Sequence, residues 1–293
     1  MNKEIHIQKT VEIAKKKKKK STHSIASVLV WASALLVVAV GIGIVIYIMI
    51  QGVPYLNSSL FEWNYSSENV SMLPALINTI FMLILSLLIA LPIGIAGSIY
   101  LVEYAKKSNP FIRIVNLMID TLSGIPSIVY GLFGSLFFVK FFGMGLSLLS
   151  GALTLSIMIL PIIMNTTQEA LREVPMSMRE GSYGLGAGKL HTILHVVLPS
   201  SLGGIISGAI LAAGRIFGES AALIFTAGTL AAVSGNIMDP ARTMAVHLYA
   251  LSQEGLYIHE TYASSAVLII VVLIMNGLAG LIKKCSERNT IHG

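Results

Sequence analysis

The sequence predicts an all-α polytopic membrane protein with six transmembrane helices and both termini in the cytoplasm, and three observations predict it. Of 293 residues, 55% are hydrophobic and only 12% are charged, and the mean hydropathy is +0.79. That lies far above a soluble domain, whose surface must still carry charge. Six stretches, at 26–50, 73–101, 112–139, 144–166, 201–226 and 262–282, each approach the ~20 apolar residues needed to cross about 30 Å of hydrocarbon. With no water in the bilayer core, each must satisfy its own backbone hydrogen bonds as a helix. Finally, 17 of the 20 Lys and Arg residues fall before the first stretch, in the second and fourth connectors, or after the last stretch. Lys140 and Arg242 lie in the connectors of the other side, and Arg215 lies within a span. Basic residues mark the cytoplasmic face, so this distribution sets the orientation.

Residues 1–24 form a basic tail with six consecutive lysines, Lys15 to Lys20. The composition predicts an unstructured tether to anionic lipid head groups. The run has no interleaved aromatics and abuts an apolar span, which disfavours nucleic-acid binding. The first helix and its outer connector occupy 25–72; the apolar run is too long for a signal peptide and predicts an uncleaved anchor. The connector, 51–72, carries Tyr55, Trp63 and Tyr65, residue types of the membrane interface. Its Asn57, Asn64 and Asn69 sequons carry little weight where Asn and Ser are so abundant.

The membrane core runs from 73 to 283 and a short cytoplasmic tail from 284 to 293. Pro92, Pro126 and Pro161 interrupt the second, third and fourth spans, as membrane bundles tolerate when neighbours re-satisfy the freed carbonyls. Gly204 with Gly208, and Gly214 with Gly218, give the fifth span two GxxxG spacings. Such faces permit close backbone approach, either within the chain or against another subunit. The connector 227–261 has room for a short helix around 241–252. Cys285 is the single cysteine, so no intrachain disulfide forms.

The connector at 167–199 holds the most informative segment, EGSYGLGAGKLHTILHVVLP, residues 180 to 199. Its composition predicts a short helix from about 167, a break at Pro175 and a second short helix from about 177. A protruding helical element of this kind suits insertion into a partner's groove, with Glu180 as polar contact and Gly186 as the turn. Nucleotide binding by this segment is excluded: Tyr183 stands where the first P-loop glycine belongs and Leu190 follows Gly188-Lys189. The dinucleotide fingerprint fails as well, because Lys189 occupies its third glycine position. His191 and His195 are one helical turn apart, but Thr192 replaces the glutamate of HExxH. A solvated or partner-facing pair is the simpler reading.

Arg215 and Glu219, spaced i and i+4 within GRIFGESAALIFTAG, are the sharpest chemical signal. Ionised groups at such depth cost roughly 2.5–3.5 kcal/mol each on insertion scales, so they face a cavity or a partner. They form either a self-neutralising salt bridge or an oxyanion site in which the guanidinium fork receives the anion. Asp120 in the third span fits an interhelical hydrogen bond. Ser127 and Tyr130, in GIPSIVYGL, sit at a proline break that places polar groups at depth. That suits either a translocation path or a purely structural kink.

The order Glu180-Gly181-Ser182, then Gly186, then Leu198-Pro199 resembles the EAA loop of ABC importer permeases. With GIPSIVYGL and GRIFGESAALIFTAG, the chain from about 70 to 283 resembles the permease subunits of phosphate-specific ABC importers, most closely the A type. Gly181-Ser182 in place of Ala-Ala, Val196 in place of isoleucine and Ser220 in place of threonine preserve size or character. The resemblance implies the type I importer permease architecture. It implies a C-type permease partner, two cytoplasmic ATPase subunits and an external phosphate-binding protein. No cofactor is expected on this chain, and ATP and Mg are used by the partner ATPase. Arg215, Glu219, Ser127 and Tyr130 become candidates for the substrate path; Glu180, Gly181, Ser182, Gly186, Leu198 and Pro199 become the coupling loop. The same architecture importing molybdate or sulfate is the alternative, and an intramembrane enzyme would need a convergent acid, base and nucleophile that the sequence does not supply.

Overall fold

The structure, a computed structural model, describes residues 2–105 and 109–291. Side chains are described at 27–105, 109–278, 280 and 281. The basic residues at 3, 9, 15–20, 106, 107, 283, 284 and 288, and the thiol of Cys285, therefore lie outside the described side chains. Among the described residues all regular structure is helical.

Helix α1, Asn2–Gly52, carries the helical backbone through the basic tail as well as the first span. The expectation of an irregular tail differs here. Lysine is a good helix former, and extending a helix from an existing one avoids the cost of a new nucleus. From Ser27 to Tyr47 every side chain of α1 is exposed, an apolar surface all round, as a lipid-facing helix requires.

From Gly52 onward the chain forms a second unit. Among the described residues of the whole chain, five helices, α1 included, are long and apolar enough to cross a membrane, or six if one bent pair counts as a single span. Helix α2, Leu73–Ile99, starts with Pro74 in its first turn and keeps Pro92 inside it. It ends in a wide turn, Tyr100–Tyr104, closed by the Ala105 amide donating to the Tyr100 carbonyl. The expected third span is two helices, α3 Pro110–Ser123 and α4 Ser127–Gly134, the latter extended by a wide turn to Phe141. They meet at 103°. Pro126 lacks an amide and pushes Ile125 out of helical geometry, and Gly124 before them ends α3. Pro92 and Pro161 have no such glycine beside them on the N-terminal side, and their helices continue.

Helix α5, Leu148–Glu173, is the centre of the unit. Leu155, Met158, Ile159 and Ile163 are almost wholly buried, in contact with α2 and α8. After α5 come α6, Met176–Gly184, and α7, Lys189–Thr192, which runs through a wide turn into α8, Leu198–Phe217. Helices α9, Ala221–Thr226, α10, Met244–Glu254, and α11, Ile258–Ile291, complete the chain. The α10 helix answers the expectation of a short helix in the 227–261 connector.

The two GxxxG spacings separate. A Cβ on Gly208 would lie 2.0 Å from Thr166 Oγ1, and one on Gly204 would lie 2.4 Å from Ala170 Cβ. The first pair therefore seats α8 directly on α5. Gly214 has nothing within 4 Å of a built Cβ and lines an apolar groove of about 220 Å³ between α2, α8 and α11.

The end of the unit where α5 begins is tied by hydrogen bonds from the 227–243 segment. Buried Asn78 donates to the Ala232 carbonyl at 2.8 Å and accepts from the Ser234 amide at 3.0 Å. Thr79 accepts from the Met244 amide at 2.8 Å, and the Leu148 amide donates to the Asp239 carbonyl at 2.8 Å. Irregular backbone at this depth thus has partners, as a low-dielectric setting requires.

His247 of α10 is fully buried here, and neither ring nitrogen has a hydrogen-bond partner. Tyr65 and this ring meet edge to face at 6.1 Å, and Arg242 lies over the Tyr65 ring at 5.3 Å from its centroid. Burial first, and the Arg242 charge second, lower the His247 pKa from 6.5 to about 4. A depressed imidazole is neutral in the fold, so stability is complete above the unfolded value and falls as pH drops from about 6.5 toward 4. Melting temperature in detergent is expected to decline across that window, and His247→Leu to flatten the decline; an unchanged slope in the variant removes His247 as its source.

Candidate functional site

Helix α5 ends because Val174 and Pro175 leave helical geometry, both with extended ψ angles. Pro175 has no amide to donate to the Leu171 carbonyl four residues back, and the Met178 amide turns to the Pro175 carbonyl instead of Val174. Two carbonyls are thereby orphaned. Arg179 takes both: its Nη2 donates to the Leu171 carbonyl at 2.8 Å and its Nη1 to the Val174 carbonyl at 2.5 Å. The same guanidinium forms an ion pair with Glu103 Oε1 at 2.8 Å, both side chains about nine-tenths buried. Lys189 Nζ donates to the Glu103 carbonyl and stands 4.6 Å from the Tyr104 ring centroid. The protruding loop is consequently fastened to the end of α2 at two points.

The residues expected to form a docking element lie on this protruding segment. Glu180 and Gly181 are exposed, and Ser182 is half-buried with its hydroxyl 2.9 Å from that of Thr192. Gly186 turns the chain at φ +85°, with its amide donating to the Tyr183 carbonyl at 2.9 Å. An L side chain is strained there. Leu198 and Pro199 open α8. Met178, Gly181, Leu185, Gly188, His191 and Val196 line a concavity of about 770 Å³, and Leu185 at its edge is 92% exposed. Apolar side chains left open around a concave turn are what a partner surface covers. His191 and His195 stack at 4.1 Å on this face, and no third ligating side chain joins them among the described residues.

The intramembrane charges depart from expectation. Arg215 occupies the last turn of α8, but the helix stops at Phe217, and Glu219 lies beyond it. The i, i+4 pairing on one helix does not form. Gly218 closes α8, and Glu219 Oε1 accepts from the Ala222 amide at 3.0 Å, capping the start of α9. A carboxylate suits that position because it satisfies a free amide and the helix dipole. Glu219 is only 7% exposed. Arg215 is half-buried and makes no hydrogen bond or ion pair among the described residues, while its charge reaches Tyr130.

Tyr130 is buried, and its hydroxyl donates to the Leu122 carbonyl at 2.7 Å, bracing the bend between α3 and α4. Ser127 is half-buried at the first position of α4. Helices α4 and α9 touch backbone to backbone: a Cβ on Gly131 would lie 2.7 Å from Ala222 Cα. The two broken helices thus seat α4, which carries Ser127 and Tyr130, on α9, which Glu219 caps, with Tyr130 within reach of the Arg215 charge. Asp120 accepts from Asn165 Nδ2 of α5 at 3.4 Å, the interhelical bond expected of it.

A family model of binding-protein-dependent transport system inner membrane components matches residues 90–292. The chain belongs to this family. It is 36% identical over 278 residues to the probable ABC transporter permease protein YqgI of Bacillus subtilis, covering 88% of this chain and 94% of that one. It is 36% identical over 203 residues to the phosphate transport system permease protein PstA of Xylella fastidiosa (strain Temecula1), covering 69% and 70%. Among solved structures, a bacterial alginate ABC transporter in complex with its alginate-bound periplasmic protein aligns with a TM-score of 0.65 at 15% identity over 88% of this chain and 95% of that one. At that identity the likeness speaks for the fold, which is that of an ABC importer permease.

Sequence reasoning missed Glu103 and Arg179 as a pair. Their signal was available: an acid at the end of an apolar run and an arginine four residues past a helix-breaking proline. Arg179→Met is expected to cost about 3–5 kcal/mol, because it leaves a buried carboxylate uncompensated. A double variant with Glu103→Gln should recover part of the loss; strictly additive losses in thermal unfolding would mean the pair is not coupled.

Proposed function

We propose that the chain is the membrane-spanning subunit of an ATP-driven importer of inorganic phosphate, working by alternating access, with both termini in the cytoplasm. The observation that carries the phosphate reading is Arg215: a half-buried guanidinium without a partner among the described residues, at the end of a broken helix, in a permease similar to phosphate transport subunits. Desolvated and unpaired, it offers a planar fork of donors to an oxyanion. Ser127, half-buried at the start of α4 beyond the other break, is a neutral donor. Glu219 holds the start of α9, and Tyr130 holds the α3–α4 bend, so both act by positioning. The anion replaces the missing counter-charge, and rearrangement of the broken helices opens the path to one side and then the other.

The 167–199 connector, whose first residues continue α5 to Glu173, serves as the coupling element. Glu180 and the apolar rim around Gly186 enter a groove on a cytoplasmic ATPase subunit, which binds ATP and Mg and performs hydrolysis. A second, C-type permease subunit and an external phosphate-binding protein complete the assembly. No cofactor belongs to this chain.

Uptake of radiolabelled phosphate at low phosphate, in cells lacking the gene and complemented with wild type or variant, tests this. Arg215→Ala is expected to lower uptake at least about a hundredfold with assembly intact, and uptake retained in this variant refutes a transport role for Arg215. Full inhibition of wild-type uptake by sulfate or molybdate would reassign the anion. Glu180→Lys is expected to insert normally and to lose co-purifying ATPase about tenfold; unchanged recovery of the ATPase contradicts its docking role.

A further inference from the structure

At the loop end of the bundle a cavity of about 920 Å³ opens between the ends of α2 and α5, the start of α3, and α6 and α7. Its volume is that of a small-molecule site. Four cations, Arg113, Arg172, Arg179 and Lys189, line it, with Glu103 the one acid among the lining residues. The Glu103 carboxylate is already engaged by Arg179. Among the described lining residues, three positive charges therefore remain without a counter-charge.

The cations are not equivalent. Arg179 is consumed by two carbonyls and Glu103, and Lys189 by the Glu103 carbonyl and the Tyr104 ring. Arg172 gives one nitrogen to Gln168 Oε1 at 2.9 Å and keeps its other donors. Arg113 is exposed and has no partner among the described residues. Two guanidinium groups from different helices thus face one space with donors to spare, and Asn116 and Tyr183 add neutral donors to the lining. Gathering like charges is unfavourable unless an anion joins them, and paired guanidinium forks match the oxygens of a phosphate group.

We infer that this cavity binds a phosphate-bearing anion, either the head group of an anionic phospholipid or free inorganic phosphate. The site is distinct from Arg215, which lies about 39 Å from Lys189 along the helical stretch that joins them, by 1.5 Å per residue. Helix α3 supports a lipid source, since the helix that supplies Arg113 and Asn116 leaves Phe111, Ile114, Leu117 and Met118 exposed, an apolar surface beside which acyl chains can lie. A basic pocket at the cytoplasmic end of membrane helices is suited to such head groups. A free phosphate would use the same guanidinium donors without the apolar face.

The test uses the assembled transporter carrying Arg113→Gln with Arg172→Gln, in an Arg215→Ala background so that the transport site does not contribute. One arm counts anionic phospholipids retained through purification, by native mass spectrometry. The other measures radiolabelled inorganic phosphate bound to delipidated complex by equilibrium dialysis. The double substitution is expected to lower one of the two about tenfold; loss of lipid identifies the head group and loss of phosphate identifies the free anion. Equal retention and equal binding in variant and parent overturn the site. Where the double variant fails to assemble, Arg113→Gln alone, which removes no protein contact, is expected to give about a threefold loss in the same arm, and no loss again overturns it.

Discussion

The arrangement depends on one buried ion pair, that of Arg179 with Glu103. A buried pair stabilises little by itself, since desolvating two charges offsets most of their attraction. This one is sustained because Pro175 creates the need for it. The proline leaves two helix-terminal carbonyls without donors, and Arg179 satisfies both while its charge complements the C-terminal end of the α5 dipole. Glu103 then neutralises the guanidinium. Removing any member exposes the deficit of the others, so the break in α5, the end of α2 and the direction of α6 are set together.

The opposite end of the unit is built on a different principle. There, neutral side chains of α2, Asn78 and Thr79, satisfy the backbone of an irregular segment. Short neutral hydrogen bonds at low dielectric are stable and insensitive to charge, except at His247, whose buried ring has no partner. One end is thus clamped by dipoles and the other by charge. Between them α5 is packed at Gly94, Gly204 and Gly208, where a single methyl would collide with Ile163, Ala170 or Thr166. Such contacts leave α2, α5 and α8 little freedom to slide. Motion is then concentrated where helices are interrupted, at 124–126 and 218–220.

The helical fold, the positions of the spans and the protruding loop were legible because each depends on local composition: apolar length, a proline, a glycine at positive φ. Gly186 is the clearest case, since the turn it makes is a property of the backbone alone. The break at Pro126 was legible, but Pro92 and Pro161 were read as interruptions where the helices run on, and the fifth span was read as continuous, for a physical reason. Proline disrupts a membrane helix only when its neighbours offer the freed groups other partners. At Pro126 that partner is Tyr130 for the Leu122 carbonyl; the break after Phe217 has no proline, and there Gly218 ends one helix and Glu219 caps the next. The i, i+4 spacing of Arg215 and Glu219 suggested a salt bridge on the assumption of helix through both residues. Gly218, Glu219 and Ser220 in fact read as an ending followed by a new start, with the acid at the N-terminal end of α9. Arg179 escaped notice because only the fold brings Glu103, 76 positions earlier, to it.

In the proposed transporter, the breaks carry a docking event at one end to the other. From Lys189 to Phe217 the chain is helical for 29 residues, which at 1.5 Å per residue is a rod of roughly 43 Å. Its first residue is fastened beside the docking loop, and its last turn carries Arg215. A rod of that length translates a tilt of a few degrees into a shift of a few ångströms at its tip. That is enough to make or break guanidinium hydrogen bonds, whose strength falls steeply with distance. Helix α9, capped by Glu219 and seated on α4 at Gly131, is separated from this rod by Gly218 and need not follow it. The interruption between Arg215 and Glu219 therefore lets the two charged residues move apart, which an unbroken helix would forbid.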